Sequence, residues 1–238
     1  MGDKVNRKEW CEINRSDCFW LTELKTALEI LPELLEQPTK WDSLIVNRRK
    51  PHTYRAFYYS TPEDDLTEGT RLCLHRFDPC GAEDAFPHPH PWPGAFYVAE
   101  GSYLMHVGMS SAPDKDPNNV VTTELKAGSS YAISSPLTWH SVQPLETCWS
   151  IMVNGEPFLK QHDSAPTTKG KDLDKMTSSQ LTDHLWMFSN ILFEDKPVED
   201  QIKQLVKKKE EAVANQDFES ASIFRDRADQ LRKRYIKF

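Results

Sequence analysis

The chain lacks the features of a membrane or secreted protein. No stretch approaches the roughly 18 consecutive apolar residues that a membrane-spanning helix needs, and the opening MGDKVNRKEWCEINRS has no apolar run of a secretory signal. The five cysteines are scattered and form no CxxC pair, which argues against a disulfide framework and against a thiolate zinc site. We therefore expect a cytoplasmic protein with reduced thiols and no membrane partner.

An excess of basic residues is also missing. Lys and Arg number 29 against 36 Asp and Glu, which gives a formal net charge of -7. This balance leaves no general electrostatic footprint for nucleic acid, so nucleic-acid binding is disfavoured. What the chain does have is 38% hydrophobic content over 238 residues, enough to bury a substantial core.

The hydrophobic pattern changes period along the chain. From Cys18 to Glu36, apolar residues recur every three or four positions, which predicts an amphipathic helix or two short helices broken near Pro32. Short β-branched and aromatic runs separated by Pro, Gly, Asp and Asn then dominate. These runs are SLIVNRR, HTYRAFYYS, RLCLHRF, AFYVAEG, SYLMHVG, NVVTTEL, SSYAISS, HSVQPL and CWSIMVNG. Their number and spacing predict a β-sandwich or barrel.

The last third of the chain is predicted to be helical. A small, polar segment with Gly and Pro, residues 162–173, predicts a linker, and a helix is expected over Ser178 to Leu192. From Val198 onward, two apolar helical faces are separated by Asn215-Gln216-Asp217, which predicts a hairpin with Asp217 as N-cap. The expected organisation is a barrel with an N-terminal helix (1–160), a linker and connecting helix (161–198) and a helical hairpin (199–238).

Three histidines form a candidate metal site. In FPHPHPWPG, His88 and His90 are one residue apart between prolines that favour an extended backbone, so both side chains point to the same side. His140, in SSPLTWHSV, opens a later strand that antiparallel pairing can bring to the same ion. Three neutral imidazoles suit Fe, Zn, Ni or Cu and leave coordination positions open.

These motifs resemble those of the cupin superfamily. The resemblance rests on His-x-His, a strand ending Glu100-Gly101, and then Gly128, Pro136 and His140, and it covers about residues 71–155. It implies a mainly β fold, a cupin-like double-stranded β-helix barrel, here with an N-terminal helix and a C-terminal α-helical hairpin. It also implies one divalent metal ion, with Fe(II) favoured. Gly94 stands where the family usually has an acidic ligand, which leaves either a three-histidine site or a site that binds no metal.

Further side chains are candidates for the substrate pocket. Trp92 and Trp139 adjoin the histidine motifs and either wall the pocket or belong to the core. Arg76 and Tyr97 are candidate polar contacts for a small anionic substrate, although alternating strands also present such residues to solvent. His106 is a weaker candidate for the cavity, and His75 is expected to be an ordinary core or surface histidine.

The C-terminal hairpin resembles the UVR motif. The matching features lie in LVKKKEEAVANQDFESASIFRDRADQLRKR. This short helical hairpin occurs at the ends of nucleotide-excision repair proteins and in some regulators of Clp proteases and kinases. The resemblance implies protein association through Phe218, Ile223 and Phe224, either with a protein partner or with a second copy of the chain.

Two classes of function follow from these features. The leading hypothesis is a mononuclear metal-dependent cupin enzyme, an oxygenase such as a dioxygenase acting on a small polar molecule, or else an isomerase or hydrolase that uses the metal as a Lewis acid. The alternative is a non-catalytic ligand sensor or adaptor whose hairpin binds a protein partner. A structural protein with a degenerate cupin barrel is the third possibility.

Overall fold

The structure is a computed structural model that describes residues 17–90, 92–112, 115–158, 173–193 and 198–235. Its contacts divide the chain into two units, Met1–Leu192 and Phe193–Phe238. The predicted linker at residues 162–173 lies almost entirely outside the described residues. No helix in the described ranges is both long and apolar enough to cross a lipid bilayer.

Helix α1 spans Asp17–Leu35 as one continuous helix that contains Pro32. The predicted break near Pro32 is therefore absent. The apolar face packs on the first β-sheet through residues spaced three or four apart: Trp20, Leu24, Ala27, Leu31, Leu34 and Leu35. Leu21, an apolar residue of the same helix, is on the exposed side. Glu23 is buried and accepts hydrogen bonds from the backbone N–H and the hydroxyl of Thr67, which ties the helix to the loop before the third strand.

Ten strands follow α1 in the first unit. Their bounds are β1 Asp42–Val46, β2 Thr53–Tyr59, β3 Arg71–Phe77, β4 His88–Pro89, β5 Gly94–Glu100, β6 Ser102–Met109, β7 Asn118–Lys126, β8 Ser130–Ile133, β9 Thr138–Pro144 and β10 Cys148–Asn154. They form one sheet with the order β1-β2-β3-β10-β5-β8 and a second with the order β4-β9-β6-β7. From β3 onward, these orders are those of an eight-stranded double-sheet jelly roll, the architecture that cupins share. The predicted fold class is confirmed.

The first sheet has two buried faces of different kinds. On the face toward the helices, alternate side chains such as Leu72, Leu74 and Ile151 join the core around α1. On the other face, Val98 and Cys148 pack against Tyr103 and Met105 of the second sheet. Residues of β3 with odd numbers therefore point between the sheets, and those with even numbers point toward the helices.

Helix α2, Ser178–Phe193, belongs to the first unit up to Leu192. Leu185, Met187 and Phe188 are buried in the same core as α1. His184 is also buried, and its Nε2–H donates to the carbonyl oxygen of Leu74 at 3.1 Å, because a carbonyl can only accept. The predicted connecting helix is thus packed on the jelly roll.

The second unit is a helical hairpin of α3, Val198–Ala214, and α4, Phe218–Tyr235. Gln216 has a φ of 60° at the turn. The backbone N–H groups of Gln216 and Asp217 donate to the carbonyls of Val213 and Ala212, the pattern of a Schellman motif. Asp217 Oδ1 accepts from the N–H of Ser220 at 3.1 Å, which confirms Asp217 as the N-cap of α4.

The buried His184 makes the stability of the first unit depend on pH. Burial lowers the pKa of His184 to about 4, against a hydrogen bond to Leu74 that raises it. The folded protein therefore resists protonation of this ring, whereas the unfolded chain takes up the proton near pH 6.5. The contribution of neutral His184 to the free energy of unfolding is therefore fully present above about pH 6.5 and is lost as the pH falls toward 4.

We expect the His184→Gln variant, which keeps a donor for Leu74 but does not titrate, to lose less stability on acidification than the parent. The difference between the two should reach about 3 kcal/mol across this window. Urea unfolding midpoints at a series of pH values between 8 and 4 measure it. Above pH 7.5 the two proteins should differ by a constant amount, and parallel curves throughout the acid range would contradict the assignment.

Candidate metal site and cationic cavity

The three predicted histidines lie together between the sheets. His88 of β4 is paired in register with His140 of β9, and the two ring centroids are 4.6 Å apart. His90 follows β4 with its N–H bonded to the carbonyl of Thr138, and its ring centroid lies 5.1 Å from that of His140. The structure thus brings together side chains that are some fifty residues apart in the sequence.

Hydrogen bonds fix the tautomer of two of these rings. Nδ1 of His88 lies 3.1 Å from the carbonyl oxygen of Phe86, and Nδ1 of His90 lies 2.6 Å from that of Trp92. A carbonyl accepts only, so each Nδ1 carries the proton and each neutral ring keeps its lone pair on Nε2. Metal-ligating histidines commonly have this arrangement, in which the second ring nitrogen donates to a backbone carbonyl.

The site also favours neutral imidazoles. Burial, followed by electrostatic repulsion from His88, lowers the pKa of His90 to about 3, although the bond to Trp92 acts to raise it. Burial likewise holds the pKa of His140 well below its usual value and lowers that of His88. Neutral rings are the form that binds a metal ion.

His140 has a buried Nδ1 without a hydrogen-bond partner in the described part of the chain. An orphaned polar atom at this depth is costly, and it is consistent with a group that a ligand completes. Across the described ranges, however, no three His, Cys, Asp or Glu side chains already stand in ligating geometry. Type, protonation and proximity of the three rings fit a divalent ion, and the rings need to reorient to hold it.

The other predicted pocket residues divide between the two faces. The Trp92 and His90 rings are 6.2 Å apart, so Trp92 adjoins the site. Trp139 immediately precedes His140 on β9 and therefore points to the opposite face. Its ring N–H is buried and has no partner in the described ranges.

Arg76, Tyr97 and His106 are not brought to the three histidines. Arg76 lies over the Tyr54 ring at 4.1 Å and pairs with Asp78 at 2.7 Å, on the face of β3 that points to the helices. Tyr97 packs against the core around α1. His106 hydrogen-bonds the Thr122 hydroxyl at 2.8 Å, on the side of β6 away from Met105 and hence from the space between the sheets.

Three residues that the sequence did not single out do point between the sheets. Arg71 and His75 share the odd-numbered face of β3, and Arg55 of β2 is paired in register with His75. The signal was alternation, since RLCLH carries Leu72 and Leu74 on one face of β3 and Arg71, Cys73 and His75 on the other. It could be interpreted only once the leucines were known to face the helices.

Gly94 has a structural reason to be glycine. It pairs with Asn154 of β10, and a Cβ at position 94 would collide with the carbonyl oxygen of Val153 and lie 3.0 Å from Cβ of Asn154. No acidic side chain fits there on this backbone. The absence of a carboxylate at position 94 is therefore explained by the close contact of β5 with β10.

The predicted partner-binding residues of the hairpin differ in exposure. Phe218, at the start of α4, is 68% exposed, and Val213, near the end of α3, is 47% exposed. Ile223 and Phe224 are half-buried. The hairpin therefore shows an uncovered apolar group at its turn.

Comparison with known proteins identifies the hairpin. Residues 199–234 match the UvrB/uvrC motif, which confirms the predicted UVR assignment. No curated protein matches the chain. Among solved structures, the hydroxypropylphosphonic acid epoxidase from S. wedmorenis is similar at 16% identity and a TM-score of 0.39, covering 50% of this chain and 56% of that one. CapF is similar at 13% identity and a TM-score of 0.36, covering 50% and 32%. This chain thus spans little more than half of the epoxidase and about a third of CapF, and such distant likenesses do not show a shared activity.

The collision at Gly94 predicts that a carboxylate cannot be added there. We expect Gly94→Ala and Gly94→Glu each to lower the free energy of unfolding by about 1–3 kcal/mol, because the added Cβ overpacks the contact between β5 and β10. Urea unfolding and metal titration of both variants measure this. A Gly94→Glu variant that is as stable as the parent and binds metal more tightly would contradict the argument.

Proposed function

We propose that the jelly roll is a mononuclear metal-dependent enzyme of the cupin type. His88 and His90 would hold the ion through Nε2, and the imidazole of His140 would complete the ligand set. The observation that carries the proposal is the pair of hydrogen bonds to Phe86 and Trp92, which point the lone pairs of two adjacent neutral rings away from the backbone.

The favoured reaction class is oxygenation of a small polar molecule with Fe(II); Zn, Ni and Cu are the alternatives. Three protein ligands leave coordination positions for substrate and oxygen, and a bound ion would supply redox or Lewis-acid chemistry there. An isomerase reaction would need only the Lewis acid.

The chain's own residues would shape and dry this site. Phe96 contacts both His90 and His140, with ring centroids 5.3 and 6.0 Å apart, and it stacks on Tyr131 at 4.6 Å. Such an aromatic wall excludes water from one side of the histidines. Tyr131 accepts a hydrogen bond from the hydroxyl of Tyr103, and burial raises the pKa of Tyr131, so both phenols keep their protons at neutral pH. They can orient a substrate but do not act as bases.

The proposal predicts one metal equivalent that depends on the three histidines. Loss of a group that hydrogen-bonds to a metal ligand typically weakens metal binding by roughly 10–100-fold. We expect His90→Ala, which removes a ligand itself, to weaken Fe(II) binding by more than this. The matched control is His106→Ala, because His106 lies on the outer side of the second sheet and should not affect binding. Elemental analysis and anaerobic Fe(II) titration measure both variants.

Turnover is then followed as oxygen consumption by the Fe(II)-loaded protein with a panel of small polar molecules. Equal metal content in His90→Ala, His106→Ala and the parent would rule out the site. Metal binding without oxygen consumption but with isomerised product would favour the Lewis-acid alternative.

A second candidate function is that of an adaptor whose hairpin binds protein. It is favoured by the UvrB/uvrC motif together with the exposed Phe218 at the turn. A large aromatic group in this position is a typical contact residue in protein interfaces.

The adaptor candidate predicts that Phe218 controls association. If the partner is a second copy, Phe218→Ser should convert a dimer to a monomer in sedimentation velocity across a concentration series, since the substitution removes apolar contact area. Glu219→Ser, one residue along the same helix, is the matched control. A parent protein that stays monomeric would show that the hairpin does not bind a second copy of the chain. A dimer that persists in Phe218→Ser would show that dimerisation uses another surface.

A further inference from the structure

The space between the sheets holds cationic groups beside the three histidines. Arg55 and His75 are paired across β2 and β3, and Arg71 lies on the same face of β3. Nε of Arg55 and both ring nitrogens of His75 are buried and lack a hydrogen-bond partner within the described ranges. His75 is only 3% exposed. Buried polar groups are normally satisfied. A neutral imidazole has one N–H, so Nε of Arg55 and that single N–H of His75 mark a place where a ligand's acceptors belong.

Arg71 is held in place by neutral groups. Its Nε donates to Oδ1 of Asn154 at 3.1 Å, and Asn154 is itself 1% exposed. The amide nitrogen of Asn154 donates to the carbonyl of Gly155, which fixes Oδ1 as the acceptor. The guanidinium lies 5.2 Å from the centroid of the Trp92 ring, next to His90. These contacts orient the guanidinium without cancelling its charge.

The two arginines and the histidines act on one another electrostatically. After burial, the charges of Arg55 and then Arg71 are the largest causes of the lowered pKa of His75. Three neutral imidazoles bring no negative charge, and Gly94 brings no carboxylate. A divalent ion here would add to the positive potential, and an anionic ligand would offset it.

We propose that Arg55 and Arg71, with His75 as a neutral hydrogen-bonding group, bind an oxyanion group of the substrate beside the three-histidine site. The substrate class is therefore a small organic carboxylate or phosphonate, whose shared feature is a planar or tetrahedral set of anionic oxygens that guanidinium groups recognise. This inference rests on the proposed function for its placement next to a metal, and on the two guanidinium groups and the unpartnered atoms of Arg55 and His75 for its chemistry.

The experiment measures stabilisation of the full chain by simple anions. Acetate and methylphosphonate serve as probes, acetamide as the neutral reference, and chloride keeps the ionic strength constant. Thermal unfolding is recorded against probe concentration, once with chelator and once with Fe(II) under anaerobic conditions. We expect a rise of a few degrees at saturation with an anion and none with acetamide.

Four variants locate the effect. Arg55→Met and Arg71→Met should each raise the apparent dissociation constant by at least about tenfold, since each removes a charged hydrogen-bond donor. Arg55→Lys, which keeps the charge, should retain part of the response and covers the case in which Arg55→Met fails to fold. Arg76→Met is the matched control, because Arg76 lies on the opposite face of the same strand as Arg71 and should respond like the parent.

The outcomes separate this inference from the proposed function. In one outcome the protein binds no metal, and anions stabilise the parent and Arg76→Met but not Arg55→Met or Arg71→Met. This result supports the anion site and rejects the proposed metalloenzyme function. In the other outcome all variants bind metal, and either no anion stabilises the protein or Arg55→Met and Arg76→Met respond equally. This result rejects the anion site and leaves the metalloenzyme proposal standing. The probe that gives the larger shift decides between carboxylate and phosphonate.

Discussion

The candidate site depends on the pairing of a two-residue strand, β4, with β9. This pairing places His88 opposite His140, and the bond from the N–H of His90 to Thr138 extends it by one residue. β4 is the edge strand of its sheet, which is where proline is tolerated, because an edge strand need not donate on its outer side. Pro87 and Pro89 therefore hold the segment extended without breaking the sheet. In an extended segment, the imidazoles of His88 and His90 lie on the same side of the backbone.

The charge distribution between the sheets follows from the same geometry. Where β5 lies against β10, no side chain fits at Gly94, because a Cβ there would meet the carbonyl oxygen of Val153 and Cβ of Asn154. The side-chain amide of Asn154, which is paired with Gly94, binds Arg71, so the position that lacks a carboxylate is close to a guanidinium. A site of neutral imidazoles flanked by arginines has a positive potential, whereas an acidic ligand would make the potential less positive. Such a site favours a bound molecule that carries negative charge.

Much of this organisation could be predicted from local sequence patterns. The period of α1, the alternation of the strands and the His-x-His spacing depend on neighbouring residues, and the structure reproduces them. The pocket beyond the histidines could not be predicted in the same way. Arg76 and Arg71 lie on one strand five residues apart, on opposite faces, and only the packing of Leu72 and Leu74 against α1 decides which arginine points between the sheets. The face of β3 that points between the sheets is therefore determined by packing against residues that are distant in the sequence.

The two units of the chain differ in how much of their structure is set locally. The hairpin turn is fixed within six residues by the left-handed Gln216, the backbone bonds to Ala212 and Val213 and the cap at Asp217. The jelly roll requires pairing of segments that are tens of residues apart, such as β3 with β10. A family model of 36 residues therefore suffices to identify the hairpin, whereas the site between the sheets exists only after the barrel has closed. Substitutions that weaken the barrel will therefore disrupt the arrangement of the three histidines before they alter the local structure of the hairpin, so the two units can be perturbed separately by mutation.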